Sequence, residues 1–237
     1  MKNPLSIKAG PTAYKTIREN GFSLENVRVV VAASGGAKWL VLNQMDRVLF
    51  PMLKAAANAP VHLLCSSIGS WRMSILGLRD PLGAIERFES PYIDHEWLEK
   101  PSSAEVSRVT RWSLDQLLGD NGEQEILSDP YMRMHILAVR SRHLLASESK
   151  LPLLAGLAAT WGANALSRRN LRHFFQRALF SDPRDNAPFH DMIDDTGLQM
   201  INVDLNENNY RDAVMATSSI TPVGRKGVGE GQSGKGG

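Results

Sequence analysis

An α/β domain is predicted, a three-layer α/β/α arrangement around a mainly parallel sheet, and three observations predict it. Two short apolar runs, Asn26 to Ala33 and Pro60 to Ser66, each end in a turn of small residues and lead into an apolar pattern of helical spacing. That strand, turn, helix succession occurs twice, which is how parallel strands are connected. The chain has 237 residues, 43% of them hydrophobic and 22% charged, enough to bury one substantial core. No internal repeat of 20 to 50 residues points to a solenoid instead.

The elements follow in order. Asn26 to Ala33 is rich in β-branched residues and breaks at Ser34-Gly35-Gly36, after which Trp39 to Leu49 has the dense apolar pattern of a buried helix. Pro60 to Ser66 is the second strand. Ile68, Trp71, Ile75 and Leu78 then recur at spacings of three, four and three, one face of a helix. Asp80-Pro81 and Ser128-Asp129-Pro130 mark turns, and between them Ser102 with Glu105 forms a capping box whose helix Gly119 ends. Arg133 to Arg140, with Met134, Ile136 and Ala138 alternating, is a third strand. Leu151 to Leu166 reads as a buried helix, with a lipid-facing cap as the other reading. Arg168 to Arg177 reads as a basic surface helix. Leu198 to Val203 is a fourth strand, followed by a helix over Glu207 to Thr217.

Charge and cysteine usage exclude some partners and settings. Twenty-seven Lys and Arg against 25 Asp and Glu leave +2, too little to imply nucleic acid. A single cysteine, Cys65, excludes an intrachain disulfide, and the first residues lack an apolar run of signal-peptide length, so a cytoplasmic setting is expected. The uncharged stretch Leu151 to Leu166 contains Pro152, Gly156 and Gly162 and is shorter than the ~18–20 apolar residues a bilayer span needs. After Val223 the composition changes: residues 224–237 hold seven glycines and one apolar side chain, Val228, and are expected to be a disordered tail behind a domain covering 1–223.

Chemistry concentrates at Leu63-Leu64-Cys65-Ser66-Ser67-Ile68-Gly69. A serine on a tight turn between a strand and a helix N-terminus is exposed for attack on a carbonyl, and nearby amides can hold the resulting oxyanion. Read alone, Ser67 fits a buried serine bonding its own backbone better than a nucleophile, and only the other elements turn the reading around. Gly35-Gly36 is either an oxyanion loop or a phosphate-binding nest, although the Walker Lys-Ser/Thr and G-x-G-x-x-G patterns are absent. Arg168, Arg169 and Arg172, interleaved with Phe174 and Phe175, suit peripheral contact with a membrane. His190, Asp191, Asp194 and Asp195 match no common ligand spacing, so no metal is expected, and no cofactor either. Asp204, at a strand end, reads as a solvated turn residue, with an in-chain stand-in for a catalytic acid as the other reading.

Taken together, Ala33-Ser34-Gly35-Gly36-Ala37-Lys38, Ser66-Ser67-Ile68-Gly69 and the late segment Arg211 to Val223 resemble the patatin-like phospholipase family in motif and order. The resemblance implies hydrolysis of a carboxylic ester of an acyl lipid by a Ser-Asp dyad without histidine. Ser67 is then the nucleophile, Gly35, Gly36 and Ala37 frame the oxyanion hole, and Lys38 stands where the family usually has Arg. Two departures follow. The family's glycine before the nucleophile pair is Cys65 here, whose Cβ is expected to crowd the turn. The family's aspartate, in a D-G-G or D-G-A motif, would fall beyond Val223, yet no Asp follows Asp212. Against the family pattern the chain therefore looks truncated or frameshifted, and the alternatives are a non-catalytic remnant or a phosphate- or nucleotide-binding α/β protein.

Overall fold

A computed structural model describes residues 8–95, 101–147, 149–186, 189 and 197–219. Five strands form one sheet in the order β1-β2-β3-β4-β5: β1 Val29–Ala32, β2 Val61–Cys65, β3 Met132–Ser141, β4 Phe175–Ser181 and β5 Met200–Asp204. The pairings β1–β2, β2–β3 and β4–β5 are parallel and β3–β4 is antiparallel. Eight α-helices accompany them among the described residues: α1 Pro11–Asn20, α2 Trp39–Ala56, α3 Ile68–Gly77, α4 Pro81–Ile93, α5 Ser103–Leu118, α6 Gly122–Ser128, α7 Lys150–Leu166 and α8 Tyr210–Ser218. The architecture is α/β with a mainly parallel sheet, consistent with a three-layer plan.

Strand alternation divides the sheet into two unlike faces. Register places Ala32, Leu63, Cys65, Met134, Ile136, Ala138 and Phe180 on one face, and all belong to the hydrophobic core that α3, α6 and α8 cover. The other face carries Val29 and Val31, both exposed, and a buried polar row of Arg133, His135 and Ser181. His62 Nδ1 lies 2.9 Å from His135 Nε2, and the Phe189 ring stands edge-on to both imidazoles. Desolvation lowers the pKa of His62.

Helix α3 is the hub. The stacked rings of Trp39, Phe88 and Trp71 join α2, α4 and α3. Arg72 of α3 makes a bidentate pair with the buried carboxylate of Asp46 on α2, at 2.8 and 2.6 Å. Lys54 at the end of α2 donates to the carbonyls of Leu76 and Leu78 and to Asp129, closing off the last turn of α3. Burial alone would raise the Asp129 pKa, but the Lys54 ammonium and the amides of Met132 and Tyr131 outweigh it and hold the carboxyl below its ordinary value.

Several elements differ from expectation for identifiable reasons. The first strand is shorter, because Leu24–Asn26 form a 3-10 turn ahead of it. Helix α2 does not stop at Leu49 but runs through Pro51 to Ala56, the loss of one intrahelical bond being outweighed by burial of Phe50 and Leu53. The stretch Arg168 to Arg177 is not a helix. It is a 3-10 turn, Arg168–His173, followed by β4, because Ala178 and Phe180 alternate inward and pair with β3. The expected fourth strand is therefore β5. Ser102 does cap α5, accepting from the Glu105 amide at 3.2 Å, and Gly119 ends that helix at φ 62°. Helix α7 forms where expected but is not buried: Leu151, Leu154, Leu157, Trp161 and Leu166 are exposed. His190, Asp191, Asp194, Asp195 and the 224–237 tail lie outside the described residues.

Candidate active site

The turn between β2 and α3 is strained in the way a nucleophile elbow is. Ser67 has φ 51° and ψ −131°, a conformation that L-residues rarely adopt and that costs on the order of 1–3 kcal/mol. Its neighbours hold it there. The Ser67 amide donates to Thr217 Oγ1 at 2.9 Å, and Thr217 in turn donates its single hydroxyl proton to the Leu137 carbonyl at 2.6 Å. The Ser67 carbonyl accepts from both the amide and the hydroxyl of Ser70, at 2.8 and 2.6 Å. One turn further, Trp71 Nε1 donates to Ser218 Oγ at 2.9 Å. Ser67 Oγ itself makes no hydrogen bond among the described residues, and the side chain is partly exposed at the positive end of α3.

Gly69 explains the spacing of the motif. A Cβ built there would stand 2.1 Å from the Ala32 carbonyl oxygen, so only glycine lets α3 start this close to β1. The same closeness brings the two turns together. Ser66 donates its amide to Ala32 O at 3.1 Å, and Ser34 Oγ and Ser66 Oγ are 3.1 Å apart.

Past Ser34 the chain enters a 3-10 turn over Gly36–Lys38, with Gly35 extended at φ −172° and Gly36 left-handed at φ 53°. The amides of Lys38 and Trp39 are used within this turn, on Gly35 O and on Gly36 O. The first amides, of Gly36 and Ala37, have no intrahelical acceptor and lie on an exposed loop. Lys38 is exposed at the end of the same turn.

Cys65 does not crowd the elbow. Its side chain points into the core, donating to His135 O at 3.3 Å and touching Met134 Sδ at 3.9 Å, and burial pushes its thiol pKa well up, so it is no nucleophile. Asp204 is far from Ser67. It shares a sheet row with Leu64, three strands away, about 14 Å at roughly 4.8 Å per strand. Moreover β5 runs opposite to β2, so the chain leaves Asp204 heading away from the elbow. Arg168, Arg169 and Arg172 are exposed on the 3-10 turn after α7, whereas Phe174 and Phe175 are half-buried and Phe175 belongs to β4.

Thr217 and Ser218 are the neighbours of the elbow that the sequence did not assign. They fell inside the late segment matched to the family, but nothing local shows that their hydroxyls reach an elbow 150 positions earlier. Fold and turn together describe an α/β protein presenting a strained serine beside a glycine loop. A scan against protein-family models matches none, and searches of curated proteins and of solved structures find no match.

Proposed function

We propose that this chain derives from a serine acyl hydrolase of the patatin-like type, acting on carboxylic esters of lipids. One observation carries the reading: a non-glycine residue, Ser67, is held at φ 51° on the strand-to-helix turn by Thr217, with Gly69 pressed on Ala32 O. A serine needed only for packing gains nothing from that strain.

In the reaction Ser67 Oγ attacks the acyl carbonyl carbon while a base takes the hydroxyl proton. The carbonyl oxygen becomes an oxyanion facing the amides of Gly36 and Ala37. Collapse expels the alcohol, which takes the proton, and water then releases the carboxylic acid from the acyl-serine. The base is the part to account for. In the patatin-like pattern it is an aspartate following the segment that α8 begins, and α8 ends against the elbow through Thr217 and Ser218. No Asp follows Asp212 in the sequence.

A fluorophosphonate probe tests this directly. Labelling of the purified chain, lost in Ser67→Ala, supports the nucleophile reading and shows that a group within these residues activates the serine. If the chain stays unlabelled, the same experiment on a version extended by a D-G-G segment decides: labelling there retains the hydrolase reading with the base supplied from outside this sequence, and silence in both rejects it.

A further inference from the structure

Helix α7 presents a surface that water does not suit. Sixteen residues, Leu151 to Leu166, carry no charge, and the helix buries only a narrow stripe, Leu153 and Gly156, with Thr160 and Ala163 half-buried behind them. Gly156 lets it lie against the 3-10 turn His143–Ala146, where a Cβ would come within 2.9 Å of the Leu145 amide. The opposite stripe, Leu151, Leu154, Ala158, Trp161 and Ala165, follows spacings of three and four and faces outward. There Leu151 is 81%, Leu154 60% and Trp161 77% exposed. An ordinary surface helix puts charges on that face, and a helix apolar all round is normally covered.

The surroundings specify the cover. Arg168, Arg169 and Arg172 follow the helix directly and are exposed, Arg140 and Arg142 come from the adjoining end of β3, and from Leu151 through Ser181 the sequence holds no acid. A cleft of about 650 Å³ between α7 and the arginine turn is lined by Leu157, Thr160, Trp161, Asn164, Arg168 and Leu171, apolar along one wall and cationic at its end. No helix among the described residues is long and apolar enough to cross a membrane, so this surface would lie on one. Its place fits too. Strand β3 continues five residues past Ile136, the partner of Cys65, about 16 Å at roughly 3.3 Å per residue, toward the end of the sheet that holds Ser67.

We infer that the outward face of α7, with Arg168, Arg169 and Arg172, docks on an anionic phospholipid bilayer, Trp161 and the leucines entering the headgroup boundary and the arginines meeting lipid phosphates. A second copy of the chain is a poorer occupant, because two such faces would bring like charge onto like charge. The inference stands on this surface alone and does not need the hydrolase reading.

The test uses the Ser67→Ala chain, so that hydrolysis plays no part. It is co-sedimented with phosphatidylcholine vesicles and with vesicles containing one third phosphatidylglycerol, while sedimentation velocity without lipid reports self-association. Binding is expected to favour the anionic vesicles and to weaken with salt. Arg168→Gln/Arg169→Gln/Arg172→Gln should lower it about 100-fold. Leu154→Ser/Trp161→Ser should lower it at least tenfold, with unchanged thermal melts because both side chains are exposed. No binding to anionic vesicles, equal binding to both kinds, or a lipid-free dimer that Leu154→Ser/Trp161→Ser dissociates would each overturn the inference. None of these outcomes touches the probe labelling of Ser67.

Discussion

Helices α3 and α7 are both apolar and uncharged along most of their length, yet they meet opposite fates. Of the ten residues of α3, nine are buried, enclosed by the sheet and by α2, α4, α6 and α8. Among the described residues the longer α7 packs mainly on two 3-10 turns and leaves its bulkiest side chains in the open. Apolarity states that a helix needs a cover, but the topology decides whether the chain itself supplies one. Helix α3 directly follows a central strand and is trapped over the sheet. Helix α7 follows the 3-10 turn past the end of β3, and among the described residues its main contacts are 3-10 turns and not a strand. The first helix can therefore anchor the strained turn at Ser67, whereas the second is free to serve as a surface.

The largest effect that sharpens this contrast is truncation of a buried leucine. Leu76→Ala, at a fully buried position, should cost about 2–5 kcal/mol and lower the melting temperature by roughly 5–15 °C. Leu154→Ala on α7 should stay within about 0.5 kcal/mol. Similar shifts in the two melts would mean that α7 is covered in solution. Next is Gly69→Ala, whose Cβ would collide with the Ala32 carbonyl 2.1 Å away. Relief requires α3 to move off β1, at about 1–3 kcal/mol, and it would also release the Ser67 turn. Any fluorophosphonate labelling of Ser67 should then vanish at temperatures where circular dichroism still reports a folded chain. Full labelling by a folded Gly69→Ala protein would show that the elbow does not depend on this close approach.

How much of this was legible in the sequence varied with the range of the forces involved. The β1 and β2 turns were legible because an apolar run, a small-residue break and a 3.6-residue period all lie within a dozen positions. The Ser102 cap was legible for the same reason. Strand β4 was not: Leu171, Phe174 and Phe175 imitate helical spacing among arginines, and only pairing with β3 selects the alternation of Ala178 and Phe180. The clamp of Thr217 on Ser67 was hidden by its sequence distance. So was the exposure of α7, since a helix apolar on every side carries no mark of which side will be left uncovered. The strain at Ser67 could be suspected from the S-x-G spacing, but the reason for that spacing, Ala32 O, lies on another strand.

The smallest effect separates the two sides of α7 itself. Gly156 and Gly162 are chemically the same residue in the same helix, and glycine costs a helix interior roughly 0.5–1 kcal/mol relative to alanine. At Gly162 an added Cβ meets nothing within 4 Å, so Gly162→Ala should recover that amount and raise the melting temperature by about 1–4 °C. At Gly156 the Cβ would stand 2.9 Å from the Leu145 amide and 3.0 Å from Leu144 Cβ, backbone and stem atoms that cannot simply swing aside. Gly156→Ala should therefore lose the propensity gain and lower the melt. Opposite signs for the two variants would fix which stripe of α7 faces the protein and which faces outward. Two gains of equal size would mean that α7 is not seated on the His143–Ala146 turn, and the outward face drawn from Leu154 and Trp161 would have to be redrawn with it.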